Sequence, residues 1–170
     1  NGHTVLGVDP ATNIVEMANK DGVTTTCAFW SRATSDAVIK EHGKAKMIFA
    51  RNVLPHVANT RDFVEGLAAA LADDGTLAIE AHNAKIILEG LHYDSIYHEH
   101  LCYFTFKSLE RLLSDFGLFV FDIAESPISG GSMIVYAKKT KGEERPAVAA
   151  TRASKESTQA NALATWQSFA

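Results

Sequence analysis

The feature that most restricts the fold of this chain is an alternation of strand-like and helix-like segments that ends in two consecutive strands. Short apolar or β-branched runs occur at 4–8, 24–29, 47–50 and 76–80, and amphipathic segments lie between and after them at 11–20, 34–42, 60–71 and 105–117. Such alternation predicts a parallel sheet with helices on its faces. The last two runs, 118–123 and 132–138, are joined by a loop too short for a crossover helix, so we expect them to be antiparallel neighbours.

An antiparallel hairpin closing an otherwise parallel sheet distinguishes the class I methyltransferase fold from most other doubly wound folds. We therefore expect an α/β, Rossmann-like, doubly wound sheet over residues 1–142. After Gly142 the chain becomes rich in Ala, Ser, Thr and Lys. Residues 143–170 are interpreted as a linker and a helix that either packs outside this domain or begins a C-terminal substrate domain.

The beginning of the chain departs from this plan. The first run ends in Gly7-Val8-Asp9-Pro10, which corresponds to the second strand of such a sheet, and no glycine-rich strand–loop–helix precedes it. In a doubly wound fold that loop cradles the cofactor. We therefore expect the domain to be truncated at its N-terminus, as a fragment of a longer protein.

Composition excludes several functional classes. The 170 residues are 46% hydrophobic and 21% charged, with a net charge of −4 and no basic block, so a nucleic-acid partner is not expected. No apolar run approaches the ~20 residues of a membrane span. The two cysteines, Cys27 and Cys102, allow neither a disulfide framework nor a four-thiolate zinc site. We expect a cytoplasmic protein that acts on a small molecule.

Candidate ligand-binding residues follow the predicted strands at their carboxyl ends, where open α/β sheets bind ligands. Asp9 would accept the hydroxyls of a ribose, or it would serve as the N-cap of helix 11–20. Phe29 would lie against an adenine ring, or it would pack in the core. Asn52 and His56 follow the third strand four residues apart, so a helical turn would place both on one face. His56 alone would otherwise be an ordinary surface residue.

The run Tyr97-His98-Glu99-His100-Leu101-Cys102-Tyr103-Phe104 concentrates titratable groups within eight residues. A metal site formed by His98 and His100, with His92, is one interpretation, but this spacing is not that of zinc motifs such as HExxH. Acid–base chemistry fits better, because a neutral imidazole is available near pH 7. Glu99 would orient or stabilise the imidazole, and Tyr97 would donate to a developing oxyanion. In a strand Tyr97 and His100 would face opposite sides, whereas in a turn they would share one.

Several of these segments together resemble the S-adenosylmethionine-dependent sugar C-methyltransferases, which alkylate a carbon beside the ketone of a nucleotide-linked deoxysugar. The resemblance covers residues 4–140 and is carried by four motifs: GVDP at 7–10, NVLxH at 52–56, YHEHLCYF at 97–104, and GGS at 130–132. In that family a small zinc-binding domain precedes this domain and a substrate domain follows it. This chain has Ser129 and Ile134 where the family often has His and Arg, which bears on the nature of the acceptor.

The resemblance implies a C-methyltransferase with S-adenosylmethionine as cofactor and no metal in this domain. It implies a cofactor site formed by Asp9, Pro10, Phe29, Arg51, Asn52 and Val53. It implies a reaction centre formed by Asn52, His56, Tyr97, Glu99 and His100, with His100 as the base. The alternatives are an O- or N-methyltransferase, a nicotinamide-dependent oxidoreductase, which the closing hairpin disfavours, and a non-catalytic methyltransferase-like binding domain.

Overall fold

The computed structural model describes residues 2–154 and 159–169, without the side chain of Ser129. The six strands are β1 (Gly7–Asp9), β2 (Thr25–Cys27), β3 (Ala45–Arg51), β4 (Leu71–His82), β5 (Phe119–Ser126) and β6 (Ser132–Lys138). The helices are α1 (Thr12–Lys20), α2 (Arg32–His42), α3 (Thr60–Ala70), α4 (Ala84–Gly90), α5 (Phe106–Ser114), α6 (Pro146–Ala153) and α7 (Leu163–Phe169). None of the described helices has the length and apolar character needed to cross a membrane.

The strands form a four-stranded mixed sheet in the order β3-β4-β6-β5 and a separate parallel pair, β1-β2. β3 is parallel to β4, and β6 is antiparallel to both β4 and β5. The predicted α/β architecture and its closing antiparallel hairpin are therefore confirmed. Among the described residues, no strand lies between β1 and β3 and forms hydrogen bonds with both.

The core lies between the four-stranded sheet and the helices α3 and α5. β4 is its centre, because the last six residues of this strand, from Leu77 to His82, are all buried. The fully buried side chains of the core come from several elements: Leu54, Val64, Leu71, Leu77, Ile79, Leu109, Leu113, Leu118 and Val135. This rigid layer fixes the carboxyl ends of β3 and β4.

Helix boundaries follow local capping chemistry. Thr105, the first residue of the predicted segment 105–117, is the N-cap of α5 and forms a capping box with Ser108. Asn59 is the N-cap of α3, because its side chain accepts the Asp62 N–H, and Thr60 is the first helical residue. α2 begins at Arg32 rather than at 34, since Ser31 caps it.

Two regions differ from the sequence-based expectation. α4 is not predicted by the sequence pattern, and it follows β4 directly, with Asn83 as its N-cap. The described part of the tail contains the short helices α6 and α7 rather than one continuous helix. Residues 155–158 of the predicted tail helix lie outside the described residues. α6 packs on β5 and buries Val148 in the main core.

Candidate active site

Predicted ligand-binding residues lie at the carboxyl ends of β1 and β2. The Asp9 carboxylate accepts the backbone N–H of Ala11 through Oδ1, at 2.8 Å. Ala11 is the N-cap of α1, so the alternative prediction that Asp9 is the N-cap of this helix is wrong. Asp9 is half-buried, and its Oδ2 makes no hydrogen bond with the residues that the structure describes, so this oxygen is available to a ligand hydroxyl.

The aromatic pair after β2 divides into one core and one surface residue. Trp30 packs on the core and donates its Nε1–H to the Phe63 carbonyl, at 3.2 Å. Phe29 is 78% exposed, so the expectation that it packs in the core is wrong. An apolar ring left in solvent at a strand end has a free face for a planar ligand.

Buried Glu80 organises the ends of β3 and β4. It is 1% exposed, and its Oε2 accepts from Arg51 Nε at 2.7 Å while its Oε1 accepts from Ser126 Oγ at 2.8 Å. Burial alone would raise the pKa of Glu80, but the hydrogen bonds from Arg51, Ser126 and Asn52 outweigh it and hold that pKa below its usual range. The carboxylate is therefore ionised and ties β4 to the ends of β3 and β5.

Asn52 has the backbone conformation that favours glycine. Its φ is 51°, an uncommon left-handed value that asparagine tolerates better than most residues. Its N–H donates to the Glu80 carbonyl at 2.8 Å, and its side chain hydrogen-bonds the Glu80 carboxylate. The expected helical turn does not run from Asn52 to His56, since a short 3-10 turn begins only at Leu54. Val53 lies between them, 43% exposed.

The run 97–104 is held against the ends of β3 and β4 by backbone hydrogen bonds. Leu101 and Cys102 donate to the Pro55 carbonyl at 2.9 and 3.2 Å, and Ala84 donates to the Phe104 carbonyl at 3.0 Å. The titratable residues of the run are therefore carried to the same edge of the sheet as Asn52 and His56. The sequence pattern gives no indication of this docking, because the bonds involve only backbone atoms.

His100 has a defined tautomer and a hydroxyl partner. Its Nδ1 lies 2.9 Å from the Ser95 carbonyl, which only accepts, so Nδ1 carries a proton and Nε2 of the neutral ring keeps its lone pair. The Tyr97 hydroxyl lies 3.1 Å from Nε2. His100 N–H also donates to the Tyr97 carbonyl, which closes a turn and puts both side chains on one side. Of the two geometries left open by the sequence, the turn is confirmed.

His56 reaches the same group of side chains from the other strand end. Its ring centroid is 4.9 Å from that of His100, and its Nδ1 donates to the Glu99 carbonyl at 2.9 Å. The Glu99 backbone thus orients His56, while the Glu99 side chain is exposed. The imidazole of His100 is oriented by Ser95 and not, among the described contacts, by the Glu99 carboxylate. His98 is exposed and meets only the Tyr97 ring edge-on.

A metal centre finds no support in the described part of the chain, where no three His, Cys, Asp or Glu side chains converge in a way that could hold an ion. Two residues of this edge were missed by sequence reasoning, Glu80 and His82. A signal for Glu80 existed, since an acidic residue near the end of a continuously apolar strand must be paired. His82 carried no comparable signal, because a single histidine after a strand is common.

The comparisons with known proteins agree with this geometry. A family model described as a methyltransferase domain matches residues 1–122. The C-methyltransferase NovU of Streptomyces niveus is 35% identical over 150 residues, which are 87% of this chain and 36% of NovU. The chain thus spans about a third of the length of that relative.

Solved structures share the fold at low sequence identity. A TehB-like S-adenosylmethionine-dependent methyltransferase from Corynebacterium glutamicum has a TM-score of 0.58 and 18% identity, over 82% of this chain and 70% of that one. A Burkholderia thailandensis 1,6-didemethyltoxoflavin-N1-methyltransferase, solved with S-adenosylhomocysteine, has a TM-score of 0.56 and 19% identity, over 82% and 63%. The predictions of an enzyme and of S-adenosylmethionine as its cofactor are confirmed. The chain belongs to the methyltransferase domain family and has the class I S-adenosylmethionine-dependent fold.

Proposed function

We propose that this domain methylates a carbon beside a ketone, with His100 as the base and a nucleotide-linked deoxysugar as the acceptor. The observation that carries the proposal is the fixed tautomer of His100, whose Nδ1–H is engaged by Ser95 and whose Nε2 lone pair faces the site. The similarity to NovU, named as a C-methyltransferase, supports carbon as the methylated atom.

The cofactor would be held by residues at three strand ends. Asp9 offers its free carboxylate oxygen to a ribose hydroxyl, beside the backbone of Pro10, and Phe29 offers an exposed ring face to the adenine. The β3 end, Arg51 to Val53, would line the rest of the site, fixed by Glu80. This acceptor oxygen and this apolar ring face fit a nucleoside. When bound, S-adenosylmethionine supplies a methyl group already activated by its sulfonium.

The proton chemistry would be done by side chains of this chain. His100 Nε2 removes the proton alpha to the ketone, and the electron pair of that C–H bond moves onto the carbonyl oxygen as an enolate. Because the Tyr97 hydroxyl donates to Nε2 in the free domain, it must turn to the enolate oxygen when the acceptor binds. A ketone is a weak carbon acid, so stabilising the oxyanion matters as much as the base.

His56, Asn52 and Glu99 would complete the centre. The ring centroid of His56 is 4.9 Å from that of His100, which places a second imidazole beside the base. In the imidazolium form of His56, Nε2–H would donate to the oxyanion. The Asn52 side chain is tied to Glu80 and would hold the shape of the β3 end. Glu99 positions His56 through its carbonyl, and its side chain is exposed.

The base is tested by hydrogen exchange rather than by methyl transfer. With S-adenosylhomocysteine and a nucleotide-linked keto-deoxysugar, the protein should exchange the alpha hydrogen for deuterium from solvent. His100→Asn should reduce that exchange by about 10²–10⁴-fold, the usual contribution of a general base. Tyr97→Phe should slow exchange but leave part of it, because it removes oxyanion support and spares the base.

His98→Asn is the matched control, since His98 is an exposed histidine of the same segment. It should exchange at the parent rate. Exchange at the parent rate in His100→Asn would show that histidine is not the base, and Glu99 would be examined next. Methylation of hydroxyl or amine acceptors without alpha exchange would instead place the methyl on oxygen or nitrogen.

A further inference from the structure

The end of β4 holds a histidine for which the proposed reaction has no use. His82 is the last residue of β4, pairs with Ser132 of β6, and is 6% exposed. Its Nε2 is buried and makes no hydrogen bond with any residue that the structure describes. Buried polar atoms without a partner are unfavourable and rare in folded proteins. The atom is therefore a candidate for a ligand contact.

The surroundings of His82 are polar but carry no cation. The titratable groups that act on its ring among the described residues are His100, His92 and Asp94. Burial is the main reason that the pKa of His82 is lowered, and the two other imidazoles lower it further. The ring is therefore neutral at physiological pH, and Nε2 either donates or accepts one hydrogen bond according to its tautomer.

His92 is the ring next to His82, and its place depends on two glycines. The two ring centroids are 6.4 Å apart. A Cβ at Gly90 would clash with the His92 imidazole, and one at Gly130 would lie 3.3 Å from its Cε1. Leu91, just before His92, has a left-handed φ of 52°, which is rare for a large side chain. The chain thus tolerates local strain and glycine packing to place the His92 ring near the His82 ring.

We propose that Nε2 of His82 binds a neutral hydroxyl group of the acceptor, close to the reacting carbon. The inference rests on the proposed function, and it adds that the acceptor carries such a hydroxyl. A phosphate or carboxylate does not fit, because none of the described Lys or Arg residues acts on His82 and Asp94 would repel an anion. A hydroxyl both donates and accepts, so it matches either tautomer. The His92 ring lies next to this contact, and His82 determines specificity.

The test compares the binding of a complete acceptor with that of analogues lacking one hydroxyl, for His82→Leu and for the parent protein. The probes are a nucleotide-linked keto-deoxysugar and its analogues that each lack one ring hydroxyl, titrated calorimetrically with S-adenosylhomocysteine present. The parent should bind one analogue about tenfold more weakly than the complete sugar, the effect of one hydrogen bond. His82→Leu should bind both about equally. Its affinity for S-adenosylhomocysteine should not change, and its melting temperature should equal or exceed that of the parent.

His42→Leu is the matched control. His42 is the last residue of α2, and because α2 precedes the parallel strand β3, its end lies at the amino ends of the strands, opposite the site. This variant should keep the parent preference for the hydroxylated probe. If His82→Leu does not fold, His82→Asn decides the question, since an Asn amide does not reach the position of Nε2 and should lose the preference.

The outcomes separate the two proposals. A His82 variant that folds and retains the parent preference overturns the hydroxyl contact but leaves the proposed function standing. If the parent binds S-adenosylhomocysteine and neither sugar probe, the proposed acceptor class is wrong and the His82 contact is overturned with it. Loss of the preference in the His82 variants, with its retention in His42→Leu, supports the contact.

Discussion

Replacing Glu80 with glutamine tests whether one buried carboxylate holds the ligand edge of the sheet together. Glu80→Gln keeps the size of the side chain and an acceptor oxygen for Ser126, but it removes the charge that faces Arg51. If the new amide nitrogen faces Arg51, two donors oppose each other. The change therefore removes one charge-assisted hydrogen bond without creating a cavity.

The size of the expected stability loss follows from how far the Glu80 and Arg51 side chains are each buried. A hydrogen bond to a charged group contributes about 1.5–3 kcal/mol. The Arg51 side chain is 61% exposed, so solvent screens its charge and the lower part of that range applies. We expect Glu80→Gln to lower the free energy of unfolding by about 1.5–2 kcal/mol at pH 7. For a domain of this size that corresponds to a melting temperature roughly 3–8 °C lower.

The pH dependence gives the sharper measurement. Since hydrogen bonds hold the pKa of Glu80 below its usual 4.5, its contribution is full above that value and is lost as the pH falls through the folded-state pKa. Urea unfolding of parent and Glu80→Gln should show the full difference at pH 7 and a closing difference below about pH 4.5.

Glu125→Gln is the control, because Glu125 is an exposed carboxylate next to Ser126 on β5. It should change stability by less than about 0.5 kcal/mol. The reasoning is refuted if Glu80→Gln is as stable as the parent at pH 7, or if the difference persists undiminished at pH 3.

Three further predictions concern single residues at the same edge. Asp9→Ala should weaken binding of S-adenosylhomocysteine by about ten- to a hundredfold in calorimetry, the effect of a lost charged hydrogen bond, and unchanged affinity would limit Asp9 to its contact with Ala11. His82→Leu should flatten the fall in stability from pH 7 to pH 5, because a buried histidine of lowered pKa binds its proton mainly in the unfolded state; an unchanged slope in urea unfolding would contradict this. Leu91→Gly should raise the melting temperature by about 1–4 °C, since glycine relieves the left-handed strain of an exposed residue, whereas Leu101→Gly, without that φ, should lower it; calorimetric scans that show the same sign for both would refute the strain.

The sequence by itself determined the alternation of the main strands and helices and the class of the sheet. Hydrophobic periodicity reports which face of a segment is buried, so β4, α3 and the β5–β6 hairpin were predictable from local pattern. Polar residues after apolar runs were equally readable, because parallel strands end at one edge. The sequence therefore predicts that Asp9 and Asn52 lie at the carboxyl ends of their strands, as the structure has them.

The tertiary structure decided which side chains meet. The pairing of His56 with His100 depends on backbone bonds from Leu101 and Cys102 to Pro55, and backbone bonds leave no trace in residue type. The roles of Glu80 and His82 depend on burial by strands distant in sequence, such as the one that carries Ser126. Local patterns record how each segment meets water, but the energy of a buried polar atom depends on partners that only the folded chain brings within hydrogen-bonding distance.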